Sequence, residues 1–397
     1  MSTRRLPAIV LGLALAVMPA FAPMRAQGAD PIVIPVITAL TGGFAILGKT
    51  QAQALQIYEK TINAKGGVNG RPLQFDFLDD ASNPATSVQL MNQLIARKVQ
   101  LVIGPSSVAT CRAVGPLVEA NGPVQYCMSP GAITTKGGYI FAASYTTYDA
   151  IRTAFNYFRV RGWKRIAMLE PTDATGQDGE AQFDKVIALP ENAGETLIAR
   201  EHYNNGDISA AAQIARIKSL NPDVLYCWTT GIALATVLHG LKDSGYDVPT
   251  YTSHGNMLYT SMDQFGDLAP KAGLYFIGPQ FVAQQFLPRG PDRAAVETFL
   301  GAFKANGVRP DNAHAAEWDV AVVLTEALRH VSPDAPADKI RDAIEQIHGL
   351  AGAEGTFDFR DGSQRGIGAA TILAAKWDPT TKDFVAVSAP GGKPLPR

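Results

Sequence analysis

The stretch 32–84 constrains the fold of this chain more tightly than any other part of it. It reads IVIPVITALTGGFAILGKTQAQALQIYEKTINAKGGVNGRPLQFDFLDDASNP. Its opening run, 32–37, is apolar without polar alternation, the pattern of a parallel strand buried on both faces. Gly42, Gly43 and Gly48 then allow a tight bend and a close backbone approach. A helix follows with Ala54, Leu55, Tyr58 and Ile62 on one face, and Gly66-Gly67 stops it before a second strand. A turn of this kind, at the carboxyl end of a strand in an open α/β sheet, is where ligands bind. The stretch holds neither His nor Cys, and the helix carries no Asp or Glu in its first turn. It is built to hold something rather than to react with it.

Strand and helix signals alternate along most of the remaining chain, which predicts an α/β protein with doubly wound parallel sheets. The firmest strands are 33–37, 73–78, 101–103, 124–128, 166–169, 224–228 and 250–252. Helical patterns lie at 85–97, 113–120, 150–161, 210–220 and 232–244. Two passages share one plan: VQLVIGPSSVATCRAVGPLVEANGPVQYCMSPG (99–131) and PDVLYCWTTGIALATVLHGLKDSGYDVPTYTSHG (222–255). Each is strand, polar loop, helix, glycine stop, strand, polar loop, and the interval from Gly104 to Ser129 equals that from Trp228 to Ser253. This predicts two similar lobes, 30–145 with 279–358 and 146–278 with 359–397, enclosing a cleft. The strand-like GLYFIGPQF returns the chain to the first lobe, helices at 292–306, 313–331 and 337–348 complete it, and a hairpin is expected around Asp361-Gly362. Three crossings between the lobes would make a hinge able to close on a ligand.

The 397 residues carry a net charge of -1, which offers no footprint for nucleic acid or an anionic membrane surface. Residues 1–29 have the form of an export signal: Arg4 and Arg5, an apolar core at 9–17 too short to span a bilayer, then small residues with Ala26 or Ala29 as cleavage positions. Pro7, Pro19 and Pro23 oppose a buried first helix. Without a Cys near the cleavage region, lipid anchoring is excluded, and no later stretch is long enough to insert in a membrane. A periplasmic, monomeric protein is expected. In that oxidising compartment Cys111 and Cys127, at one edge of a parallel sheet, either form a disulfide or remain two buried thiols; Cys227 reads as an unpaired strand residue. Three Cys and six His show no metal-ligand spacing, so neither metal nor cofactor is expected.

The segments TGGFAILG (41–48), INAKGGVNGRPLQFDFLDDASNP (62–84), VIGP (102–105), MSPG (128–131) and KSLNPDVL (218–225) occur in an order that resembles the branched-chain amino-acid-binding family, the type I periplasmic solute-binding proteins of ABC transporters. The resemblance covers nearly the whole mature chain. It implies a two-lobed receptor that closes on one small molecule and delivers it to membrane permease subunits. It also implies that loops 104–110 and 129–133, including Ser106, Ser107, Ser129, Gly131 and Ile133, hold a ligand carboxylate. Exposed N–H groups at helix starts and the hydroxyls of Ser106, Ser107 and Thr110 independently favour an anion, while N-capping is the alternative role for the two serines.

Two departures from the family pattern bear on the ligand. Ile133 stands where the amino-acid binders commonly place a Thr. His254 stands where they place a carboxylate for the ligand's ammonium group, and an imidazole cannot replace an acid there. Further candidate contacts are Leu47, Tyr145, Thr175 and Trp228, with Phe44, Tyr148 and Thr229 beside them; aromatics at this density can stack on a ring. The expected ligand is a small carboxylate without an α-ammonium, an aromatic acid foremost, with a branched-chain amino acid or a sensing role as the alternatives. An enzyme is not expected. Glu119, Asp173, Asp178, His202 and His239 fall in no nucleophile elbow or metal motif, and the 42–48 turn lacks the Lys-Ser/Thr of a phosphate loop.

Overall fold

A computed structural model describes residues 29–395; the export-signal expectation falls almost wholly outside them. The first lobe opens with β1 (Ile32–Thr38), α1 (Ala45–Asn63), β2 (Leu73–Asp79), α2 (Pro84–Ala96), β3 (Leu101–Ile103), α3 (Val108–Val118), β4 (Val124–Cys127) and β5 (Ile140–Ala142). The five strands form one parallel sheet in the order β2-β1-β3-β4-β5. Alternation along the strands sends residues to opposite faces. Ile34 and Val36 join one core with Leu55 and Tyr58, while Ile37 and Val102 join a second with Met91 and Val114. Gly48 is required where α1 leaves β1, since a Cβ there would lie 2.1 Å from the Ala39 carbonyl oxygen.

The chain then builds the second lobe from α4 (Thr147–Arg161), β6 (Arg165–Pro171), α5 (Ala174–Ile187), β7 (Thr196–Tyr203), α6 (Ala211–Ser219), β8 (Val224–Cys227), α7 (Ala233–Asp243), β9 (Thr250–Thr252), α8 (Tyr259–Phe265) and β10 (Leu274–Gly278). Here Ile166 and Met168 pack with Phe155 and Phe183 on one face of the sheet. Ala167 and Leu169 pack with Ile214 and Leu234 on the other. The repeat seen in sequence is β3-α3-β4 in one lobe and β8-α7-β9 in the other.

Next come α9 (Pro291–Ala305), α10 (Asn312–His330), α11 (Ala337–Glu345), β11 (His348–Ala351) and β12 (Thr356–Asp358), followed by β13 (Leu373–Asp378) and β14 (Asp383–Ala386). Helices α9 to α11 cover the first sheet through Phe299, Trp318 and Ile340. Strands β13 and β14 extend the second sheet, whose order is β14-β13-β10-β9-β8-β6-β7, with antiparallel pairing only at the β10-β13-β14 edge.

Three crossings are visible as switches between cores: Ala143 to Tyr145, Ile277 to Phe281, and Ile367 to Ile372. Phe359 and Ile367 still belong to the first core, so the third crossing lies later than the 358/359 division read from sequence. The hairpin around Asp361-Gly362 is not formed. Residues Phe359–Asp361 make a 3-10 turn that Gly362 ends in the left-handed region. The hairpin closes earlier, between β11 and β12, because the buried Asp319 carboxylate accepts the N–H groups of Ala353 and Glu354, each at 2.7 Å. Helix α3 also starts five residues before the sequence reading, at Val108, because Ser107 caps it.

Candidate functional site

The cavity between the lobes is assembled from loops at the carboxyl ends of strands. After β3, the chain turns through Ser106 and Ser107 into α3. Ser106 Oγ lies 2.9 Å from Thr38 Oγ1 and accepts from the Ala39 N–H at 3.3 Å, tying this loop to the end of β1. Ser107 accepts from the Thr110 N–H at 3.2 Å, and Thr110 Oγ1 returns the contact to the Ser107 N–H at 3.1 Å. This capping box uses the third-position amide, while the first-turn amides of Val108 and Ala109 have no carbonyl to reach within the helix. The helix therefore presents a partial positive charge to the cavity.

Cys111, in the first turns of α3, and Cys127, the last residue of β4, form a disulfide with a Cα separation of 5.9 Å. It joins the two elements whose loops, at Ser106–Ser107 and Met128–Ser129, face the cavity. Cys227 is free and buried.

From the second lobe come Thr175, in the first turn of α5, and the loops after β8 and β9. The Trp228 N–H donates to both oxygens of the buried Glu170 carboxylate, at 3.0 and 2.8 Å. Ser253 and Asn256 both donate to the Thr229 carbonyl, locking the two loops together. His254 sits between Trp228 and Tyr145, with ring centroids 5.8 and 5.0 Å away. Burial lowers its pKa to about 4, so the imidazole is neutral at physiological pH, and Nδ1 has no partner.

These groups enclose a space of about 50 Å³. Of the residues singled out in sequence, Leu47, Ser106, Ser107, Ser129, Thr175, Trp228 and His254 line it, with Phe44 beside them. Gly131, Ile133 and Tyr145 do not. Gly131 faces a neighbouring hollow of about 520 Å³, where its carbonyl accepts Arg112 Nε at 2.8 Å. A Cβ at Gly131 would meet Val108 at 2.6 Å. Ile133 is 64% exposed, beyond the turn that carries Ser129 inward. Tyr145 is fully buried behind His254, supporting the ring without reaching the cavity.

Sequence reasoning missed Gln51, Ser144, Thr230, Asn312 and Glu317, all of which line the cavity. Gln51 lies one turn beyond Leu47 on the same face of α1, a spacing that would have found it. Glu317 is an acid inside the run AAEWDVAVVL, and that mismatch with its neighbours was the available signal. It is fully buried, and Gln51 donates to it at 3.0 Å. Burial pushes its carboxyl up to about 8, with the Gln51 hydrogen bond opposing the shift. Among the described residues no Arg or Lys lines the cavity.

The lobes are closed on each other. Arg112 of α3 pairs with Asp178 of α5 at 2.6 Å, Leu47 and Ala313 pack on Leu258, and the Asn312 N–H donates to the Met257 carbonyl at 3.3 Å.

Two α/β lobes linked by three crossings around an enclosed cleft are the type I periplasmic binding fold. The periplasmic binding protein family profile matches residues 31–382, and the chain belongs to that family. Among its curated relatives, the Leu/Ile/Val-binding protein BraC3 of Rhizobium johnstonii is 27% identical over 56% of this chain and 61% of its own length. A Leucine-, isoleucine-, valine-, threonine-, and alanine-binding protein of Pseudomonas aeruginosa is 24% identical over 62% of this chain and 65% of its own. The chain thus matches less than two thirds of the length of these relatives. Among solved structures, a leucine-binding protein of Thermotoga maritima superposes with TM-score 0.75 at 20% identity, covering 90% of this chain and 99% of that one. A solute-binding protein of R. palustris in complex with benzoate gives TM-score 0.74 at 19% identity, over 91% and 97% of the two chains. Among the described residues no helix is long and apolar enough to cross a membrane.

Proposed function

We propose that this protein is an exported receptor that closes on a small carboxylate, an aromatic acid foremost, and hands it to ABC permease subunits. The observation that carries this reading is the start of α3. Its N-terminus, at Ser107 and Val108, and the Ser106 and Ser129 loops border an enclosed cavity that no Arg or Lys lines among the described residues. A helix N-terminus with convergent hydroxyls binds a carboxylate without a counter-charge. Trp228 and the neutral His254 supply flat walls for a ring, and a structural neighbour is a benzoate complex. His254 in the second lobe offers an α-ammonium no counter-charge, which supports an acid lacking one.

A branched-chain amino acid is the second reading. The names of the curated relatives favour it, and so does Glu317, an acid within the cavity that can ionise against an ammonium group. A thermal-shift screen with benzoate, small aliphatic acids, leucine, isoleucine and valine decides between them. Ligand at a hundred times its Kd adds about 2.7 kcal/mol, a shift of several degrees at this size. Stabilisation by leucine, isoleucine or valine alone would replace the first reading with the second. Stabilisation only by neutral sugars or amides would remove both.

A further inference from the structure

The cavity is lined by polar groups that the α3 N-terminus does not explain. Gln51 and Glu317 meet across α1 and α10, and their hydrogen bonds fix which atoms are left over. Gln51 Nε2 donates to the Met128 carbonyl at 3.2 Å and to Glu317 Oε1 at 3.0 Å, so its amide cannot turn over without setting oxygen against oxygen. Gln51 Oε1 and Glu317 Oε2 are then buried without a partner, and Asn312 Oδ1, on an amide that no hydrogen bond orients, is a third. Their residues are 3%, 0% and 3% exposed, and all line the cavity. Buried polar atoms in folded proteins are ordinarily paired.

Ala313 and Ala316 line the same cavity, one turn and one residue before Glu317 on α10.

Building on the carboxylate reading, we propose that Gln51, Glu317 and Asn312 form a subsite that receives an amino group of the ligand separate from its carboxylate, with Glu317 ionised when that group is bound. An amine carries two or three N–H donors and matches several oxygens at once, whereas an unsubstituted acid leaves all of them unpaired. A donor arriving at Glu317 Oε2 also favours the charged carboxylate that burial opposes.

Calorimetric titration of the protein with two matched pairs, benzoate and 4-aminobenzoate, butyrate and 4-aminobutyrate, tests this. In at least one pair the amino acid binds tenfold or more tightly than its parent. In Glu317→Gln the new side chain must keep its carbonyl toward Gln51 Nε2, leaving its NH2 toward the ligand. Donor then meets donor, and the advantage falls below threefold. Gln51→Met, which removes one acceptor, lowers the same ratio and serves if Glu317→Gln does not fold. Ratios below threefold in both pairs with the unaltered protein overturn the subsite while leaving the carboxylate reading standing. So does an equal weakening of parent and amino ligand by both substitutions. Failure of all four acids to bind overturns the carboxylate reading, and the subsite with it.

Discussion

Arg112 Nη2 lies 2.6 Å from Asp178 Oδ1, and this contact joins the two lobes across the mouth of the cleft. Arg112 stands on α3, the helix that presents its N-terminus to the cavity, and also donates to the Gly131 carbonyl. Asp178 stands on α5, whose first turn carries Thr175 into the same cavity. The pair therefore exists only when both helices have converged, and its energy belongs to the closed state.

Asp178→Asn should weaken ligand binding by accelerating release. A charge-assisted contact with one half-buried partner is worth about 1–2 kcal/mol, or about tenfold in affinity. The change should appear in the dissociation rate measured by stopped flow, with the association rate altered much less. An equal fall in unfolding stability of the ligand-free protein would instead mean that the pair holds the fold rather than the closed state.

The Cys111–Cys127 disulfide joins α3 and β4 across a sequence separation of 16. Loop-closure entropy for a span of this size gives about 3 kcal/mol. Replacing both cysteines by serine should lower unfolding stability by about 2–4 kcal/mol and weaken binding as well, since the bond sits between the Ser106–Ser107 and Met128–Ser129 loops. Urea denaturation with parallel titration of whichever acid binds checks both effects. Loss of stability with full affinity would show that the loops hold their places without the bond.

The architecture was legible because its determinants are local. Apolar runs such as 32–37 and 224–228 mark buried strands, and loops at their carboxyl ends face a cleft in any open α/β sheet. Ser106, Ser107 and Ser129, given by the family resemblance, and Trp228, given by its place after a strand, all line the cavity. Ile133 and Gly131 do not, because the direction of the chain after Ser129 depends on Arg112 and the neighbouring hollow. The Gln51–Glu317 contact spans 266 residues, and helical periodicity shows which face of α10 is buried but not what it meets. The choice between a disulfide and two thiols at Cys111 and Cys127 required the Cα separation, which sequence does not carry.

His254 makes stability depend on pH in a determinable direction. Its folded pKa, about 4, lies below the ordinary value of 6.5, so the unfolded chain takes up the proton first as pH falls. The contribution is fully present above pH 6.5 and is lost between about 6.5 and 4, for about 3 kcal/mol in total. His254→Gln removes the titration and should flatten that part of the curve relative to the unaltered protein. Parallel slopes for both proteins in urea denaturation between pH 7 and 4 would show that the imidazole is not buried neutral.

Glu317 carries the opposite sign. Its folded pKa of about 8 lies above the ordinary 4.5, so the folded protein keeps a proton that the unfolded chain has released. Stability from this group therefore declines as pH rises from about 4.5 to 8, by a few kcal/mol. Glu317→Gln keeps the shape and the bond to Gln51 without the charge. It should leave ligand-free stability near that of the unaltered protein at pH 5 and raise it by about 2 kcal/mol or more at pH 8. A carboxylate that weakens the empty protein is the pattern of a residue retained for what it binds rather than for the fold. Urea denaturation of both proteins at the two pH values measures the difference, and lower stability of Glu317→Gln at pH 8 would show that the acid serves the core.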